Sequence, residues 1–372
     1  MKFRFSLLLV GLMFSAGLLQ AQSQPSSVHV YGATDSIQRI DAHAVYFVPN
    51  GSRPLPDWQD RIHYLMERTK SFHQREWAGQ STLNFTLFQE PFISKTKQGQ
   101  FPSDDPNNFF WAIINEVWHS GKIEFDPSAL PILVVFSDNN FSPGYDDWTR
   151  ECNGVGCPFP APHSKCAGYV LANGEDRPGS RAGGSRSVFW PEMHIGLGLV
   201  TADGWRVPVK GSDCVVYHEG LGHSLGLPHP EPIDNSVMGL AQYIDSIQIT
   251  WIDKNQKLVM GWQETEIQKN DLFSNFTISH SPTPPVLGEP LTLIAEFPGP
   301  QVPRSIMAEY QTNLWDPFQS LGKPAFGIAK DHYIATWTLP AHVHGRCFAY
   351  RITVESQDGQ TEQIWNYAKI RE

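Results

Sequence analysis

The chain has 372 residues, 41% of them hydrophobic and 18% charged, an ordinary globular balance with enough material for two cores. A formal net charge of −10, with no Lys/Arg run against it, weighs against nucleic-acid binding. Beyond the N-terminal stretch no segment is apolar enough to cross a bilayer.

Residues 1–21 read as a secretory signal peptide. Lys2 and Arg4 supply the positive start, Phe5 to Leu19 the apolar core, and Leu19-Gln20-Ala21 a cleavage site. The apolar run is shorter than the roughly 20 residues of a membrane span, which favours cleavage over a retained anchor. The expected mature protein is secreted, extracellular or periplasmic, and has no membrane span. Few residues separate the signal from the first strand, so no latency segment is expected.

Ala42 to Val48 reads as a central strand, and Pro56 to about Ala78 as an amphipathic helix, with Trp58, Ile62, Leu65, Thr69 and Phe72 at helical spacing. Leu83, Phe85 and Leu87 alternate as a strand. A second helix is predicted over Pro106–His119, and Ile132–Phe136 is a short buried strand. Strand, helix, strand, helix, strand implies an α/β domain: a mixed, mainly parallel, twisted sheet with helices packed on it.

From Ser137 to about Arg186 the chain is rich in Gly, Pro and Cys and lacks periodicity, as functional or covalently tied loops are. Exported cysteines meet an oxidising compartment. Cys152, Cys157, Cys166 and Cys214 are therefore disulfide candidates with three connectivities. The preferred pairing is Cys152–Cys157, closing a short loop, with Cys166–Cys214 tying it to the next helix. Their spacing is not that of a zinc ribbon, and Cys347 reads as a buried thiol in a strand. Asp138-Asn139-Asn140 and Asp146-Asp147 are the only candidates for Ca2+, without a firm motif. Ser187–Trp190 reads as an edge strand, limited by Pro191.

The run His218-Glu219-Gly220-Leu221-Gly222-His223-Ser224-Leu225-Gly226-Leu227-Pro228-His229 follows, predicted as a helix capped by Ser212 or Asp213 and ended at Gly226. Three imidazoles and a carboxylate in one helix-plus-turn are what a catalytic zinc site needs: three protein ligands, an open position and an adjacent base. Pro228 and Pro230 stiffen His229, and Ser236-Val237-Met238-Gly239 is an apolar turn containing methionine. The first two histidines are five residues apart. On an α-helix four residues turn roughly 400° and share a face, whereas five leave side chains about 140° apart. Both reach one ion if the helix widens into a π-bulge, which Gly220 and Gly222 make easier. A regular helix would instead offer Glu219 with His223 and His229 and leave His218 outside.

The arrangement resembles the metzincin zinc metalloproteases, whose pattern is H-E-x-x-H-x-x-G-x-x-H followed by a methionine turn. The chain has that framework with one inserted residue. The unit H-E-G-L-G-H is also similar to the H-E-x-x-G-H unit of the dipeptidyl-peptidase III family. The resemblance implies one catalytic Zn2+ held by His218, His223 and His229, with Glu219 as general base and Met238 as an apolar floor. It also implies an edge strand bordering the cleft and a closing helix, here at about Ile247 to Trp262. Asp234 is a candidate hydrogen-bonding neighbour of the His229 turn, and Tyr243 a lesser candidate near the site. His163 and His194 read as surface or packing residues. A domain over 28–265 hydrolysing peptide bonds is the expected result.

Residues 273–372 change character. Short alternating runs at Phe276–Ile278, Leu291–Ala295, Ile306–Tyr310, Tyr333–Trp337 and Phe348–Val354, with a hairpin signal at Asp358-Gly359, suggest an all-β immunoglobulin- or fibronectin-like sandwich. The rival reading is a non-catalytic metal-containing binding protein whose sandwich recognises a glycan or protein surface, with Trp315 and Trp365 as stacking candidates. Three-histidine sites also hold iron, but the adjacent glutamate and methionine turn favour hydrolysis. His342 and His344 read as exposed.

Overall fold

Ala44 to Pro49 are buried at every position, so the strand they form needs cover on both faces. In the computed structural model this is β1 (Arg39–Asn50). The structure describes residues 27–141 and 184–265 apart from 207, 209–210 and 245, the pairs 169–170 and 176–177, and 276–370 apart from 284, 299–301, 313, 330–331 and 341–346. The signal peptide, Cys152, Cys157, Cys166, His163, Asp146-Asp147 and His342-Val343-His344 lie outside the described residues.

Around β1 lie β2 (Thr82–Leu87), β3 (Phe92–Lys97) and β4 (Leu130–Ser137), all parallel to it. A short antiparallel pair, β5 (Tyr169–Val170) and β6 (Asp176–Arg177), stands apart. β7 (Arg186–Trp190) and β8 (Ile195–Val200) complete the main sheet in the order β2-β1-β4-β8-β7, with β3 also on β1. β8 is parallel to β4, and only β7, at the edge, is antiparallel. The sheet is thus mixed and mainly parallel, as its alternation with helices implied.

Helix α1 (Trp58–Trp77) covers one face and ends where Ala78 turns left-handed (φ 48°). Helix α2 (Pro106–Trp118) covers the other. It starts at Pro106 under Asp105, whose carboxylate accepts from the amides of Asn107 (2.6 Å) and Asn108 (3.4 Å). Two buried clusters result. Tyr46, Val134, Trp77, Tyr217 and Met238 belong to one, and Phe47, Leu133, Phe110 and Leu197 to the other.

Three details depart from expectation. β3 and β8 were not anticipated; β8 reads Ile-Gly-Leu-Gly-Leu-Val, and its glycines blunt the usual strand signature. Ser212 and Asp213 do not cap the helix that leads into the histidine run, because it begins at Ser212 after Gly211. The Asp213 carboxylate is committed to the amides of Cys214 and Ile247 and to Arg68 (2.7 Å). The closing helix is shorter than Ile247–Trp262. After two four-residue helices, α3 (Ala202–Trp205) and α4 (Ser212–Val215), and a third, α5 (Ala241–Ile244), α6 spans only Lys254–Val259. Asp253 caps it, and the carbonyl of Trp251 is taken by the amide of Val237 instead of a helical partner.

The C-terminal half carries two four-stranded antiparallel sheets around one buried cluster. The first contains β9 (Thr277–Ser281), β10 (Leu291–Pro298), β13 (Ala325–Ala329) and β14 (His332–Leu339), in the order β13-β14-β10-β9. The second contains β11 (Ser305–Gln311), β12 (Gln319–Ser320), β15 (Cys347–Glu355) and β16 (Thr361–Lys369), in the order β12-β11-β15-β16. The turn at Asp358-Gly359 joins β15 to β16.

This half rests on α1. Arg61 donates to Gln311 Oε1 (2.6 Å) and lies over the Trp365 ring, and the Trp365 amide donates to the Tyr64 hydroxyl (3.4 Å). Leu314 and Ala349 join the same buried cluster as α1.

Candidate metal centre

The segment after α4 does not continue as an α-helix. Val216–Gly222 is a π-helix, followed by a 3-10 turn over His223–Leu225. The His223 amide donates to the His218 carbonyl, a five-residue step that closes one turn where an α-helix would need four. His218 and His223 therefore share a face despite their spacing.

Small residues make room for the widened turn. A Cβ at Gly198 of β8 would stand 2.3 Å from the Gly220 carbonyl oxygen, and one at Gly196 would stand 2.7 Å from Ser224 Cβ. The glycines that hid β8 from the sequence pattern are the ones the helix presses against. A Cβ at Gly222 would meet Met238 Sδ at 2.3 Å, so the methionine turn packs directly under the helix. Gly226 has φ 76° and faces the Tyr31 carbonyl, which leaves no space for a side chain. Its amide donates to the His223 carbonyl (3.0 Å), and the chain then turns back to His229.

Three ring nitrogens converge. His218 Nε2 lies 3.1 Å from His223 Nε2 and 3.1 Å from His229 Nε2. His218 Nδ1 donates to the Val237 carbonyl (2.9 Å), and His223 Nδ1 donates to the Leu227 carbonyl (2.6 Å). A carbonyl only accepts, so the proton of each neutral ring sits on Nδ1 and Nε2 keeps its lone pair. Burial, then the neighbouring imidazoles, hold His218 neutral, with a pKa of about 3. Lone pairs facing one another at this distance repel unless a cation lies between them. Tetrahedral donors with zinc–nitrogen bonds of about 2.0–2.1 Å stand roughly 3.3 Å apart, so the set fits such an ion. Among the described residues this is the one cluster of three or more potential ligands that could hold a metal.

Glu219 is not part of the cluster. It is half-buried beside it, and burial pushes its carboxyl up to about 8, with the Arg186 charge pulling it down. Edge strand β7 runs along the helix: Ser187 pairs with Gly198 over Gly220, and Phe189 with Gly196 over Ser224.

Other expected residues fall elsewhere. Asp234 accepts from the Ser236 amide (2.9 Å), and its carbonyl accepts from Leu240 (2.7 Å), shaping the turn that carries Met238. The Tyr243 side chain lies outside the description. Asp138 is paired with Arg206 (3.0 Å), and Asn139 and Asn140 are buried beside it in the chain. His194 is exposed beside Asp35. Cys214 is buried. Trp365 is 5% exposed against α1 and Trp315 is half-buried under Arg206, so neither forms an open platform for a sugar.

No protein-family model matches the chain, and no curated protein does. Among solved structures, wild-type OgpA from Akkermansia muciniphila aligns over 88% of this chain and 93% of its own, at 13% identity and a TM-score of 0.33. Catalytically inactive OgpA in complex with an O-glycopeptide (glycodrosocin) substrate aligns over 88% and 92%, at 12% and 0.31. ACE19, the collagen-binding subdomain of the Enterococcus faecalis surface protein ACE, aligns over 26% and 96%, at 8% and 0.12. Similarity at these scores assigns neither a family nor an activity.

Proposed function

We propose that the chain is a secreted zinc-dependent endopeptidase of metzincin-like design. The observation that carries the reading is the convergence of His218, His223 and His229 through bare Nε2 atoms, two of them aimed by backbone carbonyls. His218, His223 and His229 would hold the ion. When bound, zinc lowers the pKa of a coordinated water towards 7 and polarises the scissile carbonyl.

The remaining work belongs to the chain. Glu219 follows His218 directly and takes the proton of the attacking water on its carboxylate. The same carboxyl then returns that proton to the leaving amine. Among the described residues no strand pairs with the outer edge of β7, and an extended peptide laid along that edge would present its backbone to the histidine cluster. Met238 fills the space below Gly222 and excludes water from beneath the site.

The test is cleavage of a diverse peptide mixture, with and without O-linked glycans, beside Glu219→Gln and a chelated sample. Cleavage by untreated wild type alone supports the reading. Unchanged cleavage by either control overturns it.

A further inference from the structure

The widened turn is tied to the rest of the domain through Tyr217, the residue before His218. Its hydroxyl lies 3.0 Å from His73 Nδ1 and 3.4 Å from Trp77 Nε1, both on α1. His73 Nε2 lies 2.8 Å from Ser81 Oγ, and Ser81 Oγ donates to the Ile37 carbonyl. Only one arrangement of protons satisfies all of these groups. The Ile37 carbonyl can only accept, so the Ser81 hydroxyl proton goes there and Ser81 Oγ accepts from His73 Nε2–H. His73 Nδ1 is then an acceptor and takes the Tyr217 hydroxyl proton, while the Tyr217 oxygen accepts from the Trp77 indole N–H. The chain of bonds requires a neutral His73, and burial lowers that imidazole to about 3. Tyr217, His73 and Trp77 are fully enclosed, and Phe72 packs edge-on against the tyrosine ring (4.7 Å).

Two helical registers compete for this segment. The α register sets Glu219 and His223 four residues apart on one face; the π register sets His218 and His223 five apart on one face. They differ by rotation of the turn that contains Tyr217. A rotation that brought Glu219 inward would draw the Tyr217 hydroxyl off His73 and leave buried donors and acceptors unpaired.

We infer that Tyr217 is a positioning residue, and that its hydrogen bonds to α1 hold the π register in which His218 instead of Glu219 faces the ion. The inference rests on the metal-site reading above. It assigns to the buried His73–Ser81–Ile37 relay a purpose that reaches the metal centre through the main chain.

The experiment measures zinc affinity of the full-length mature protein by chelator competition, together with the visible spectrum of the Co2+-substituted form. Tyr217→Phe, which keeps the ring and removes the hydroxyl, is expected to weaken zinc by about 10- to 100-fold and to change the Co2+ spectrum, as loss of outer-shell support does. His73→Leu should do the same. His73→Gln, which keeps an acceptor and a donor in the same place, should restore affinity to within a few-fold of wild type. Wild-type affinity and an unchanged spectrum in Tyr217→Phe would overturn the inference while leaving the metal site intact. If wild type itself bound neither metal, the metal-site reading would fall, and the inference with it. Should Tyr217→Phe not fold, Trp77→Phe removes one donor to the same oxygen. A change in the Co2+ spectrum then supports the assignment, and its absence counts against it.

Discussion

The His223 amide donates to the carbonyl of His218, so the two residues that face one another through their rings are also joined through their backbones. This five-residue hydrogen bond reconciles a spacing that fails on an α-helix with a shared face. The donor geometry of the site is therefore a property of the turn as much as of the side chains.

The roles of neighbouring residues should separate cleanly. His218→Ala removes one donor and leaves a cavity in a buried site, so zinc should be lost or weakened by more than 100-fold. Glu219→Gln should retain zinc and lose about 10²- to 10⁴-fold in cleavage rate, the usual worth of a general base. Metal content by elemental analysis, read beside cleavage, distinguishes them. If His218→Ala binds zinc like wild type, Glu219 is a ligand and the register is the other one.

Glycine contacts should rank by what they meet. Gly198→Ala puts its Cβ against the Gly220 carbonyl, which is backbone and cannot yield, and should cost ~3 kcal/mol or more. Gly222→Ala meets the thioether of Met238, which has rotamer freedom, and should cost ~1–2 kcal/mol. Chemical denaturation of the two variants gives the order, and the reverse order would mean that the helix, not Met238, moves.

Acid should weaken the fold through His73. Its folded pKa, about 3, lies below the free value of 6.5, so the unfolded chain binds the extra proton between these limits. Stability attributable to the neutral ring is then complete above about pH 6.5 and lost as pH falls towards 3, by up to ~1.4 kcal/mol per pH unit. In His73→Gln the slope of unfolding free energy against pH between 6 and 4 should be shallower by about one proton. An identical slope would show that His73 is protonated within the fold.

The C-terminal sheets should be inseparable from the rest. Trp365 packs on Arg61 and Tyr64 of α1, and Leu314 and Ala349 share the buried cluster of that helix. Trp365→Ala should cost ~3–5 kcal/mol. A chain ending before residue 273 should melt well below the full-length protein, by calorimetry. Two independent transitions in the intact protein would contradict this.

Most of the main sheet was legible because burial leaves a plain record: Ala42 to Val48 and Ile132 to Phe136 are apolar runs, and α1 repeats at helical spacing. The histidine cluster was legible because ligand chemistry restricts residue types. β8 was not, since its glycines answer to a neighbouring backbone and not to strand propensity. The length of α6 was not, because Trp251 gives its carbonyl to Val237, a partner 14 positions away in the chain that periodicity does not reveal. Neither was the burial of Trp315 and Trp365, which depends on how the two halves meet. The relay through Tyr217 and His73 was equally hidden, being built from residues 144 positions apart.

The carbonyls of Val237 and Leu227 that orient His218 and His223 belong to the main chain. Every amino acid brings the same oxygen, so substitutions at positions 227 and 237 that keep the backbone path leave the electronic character of these two imidazoles unchanged. In many metal sites a carboxylate does this job, and exchanging it tunes the metal. Here that dial is missing. Sequence drift around the site would alter which peptides fit long before it altered the reactivity of the centre, and an engineer wishing to change that reactivity would have to begin with His229.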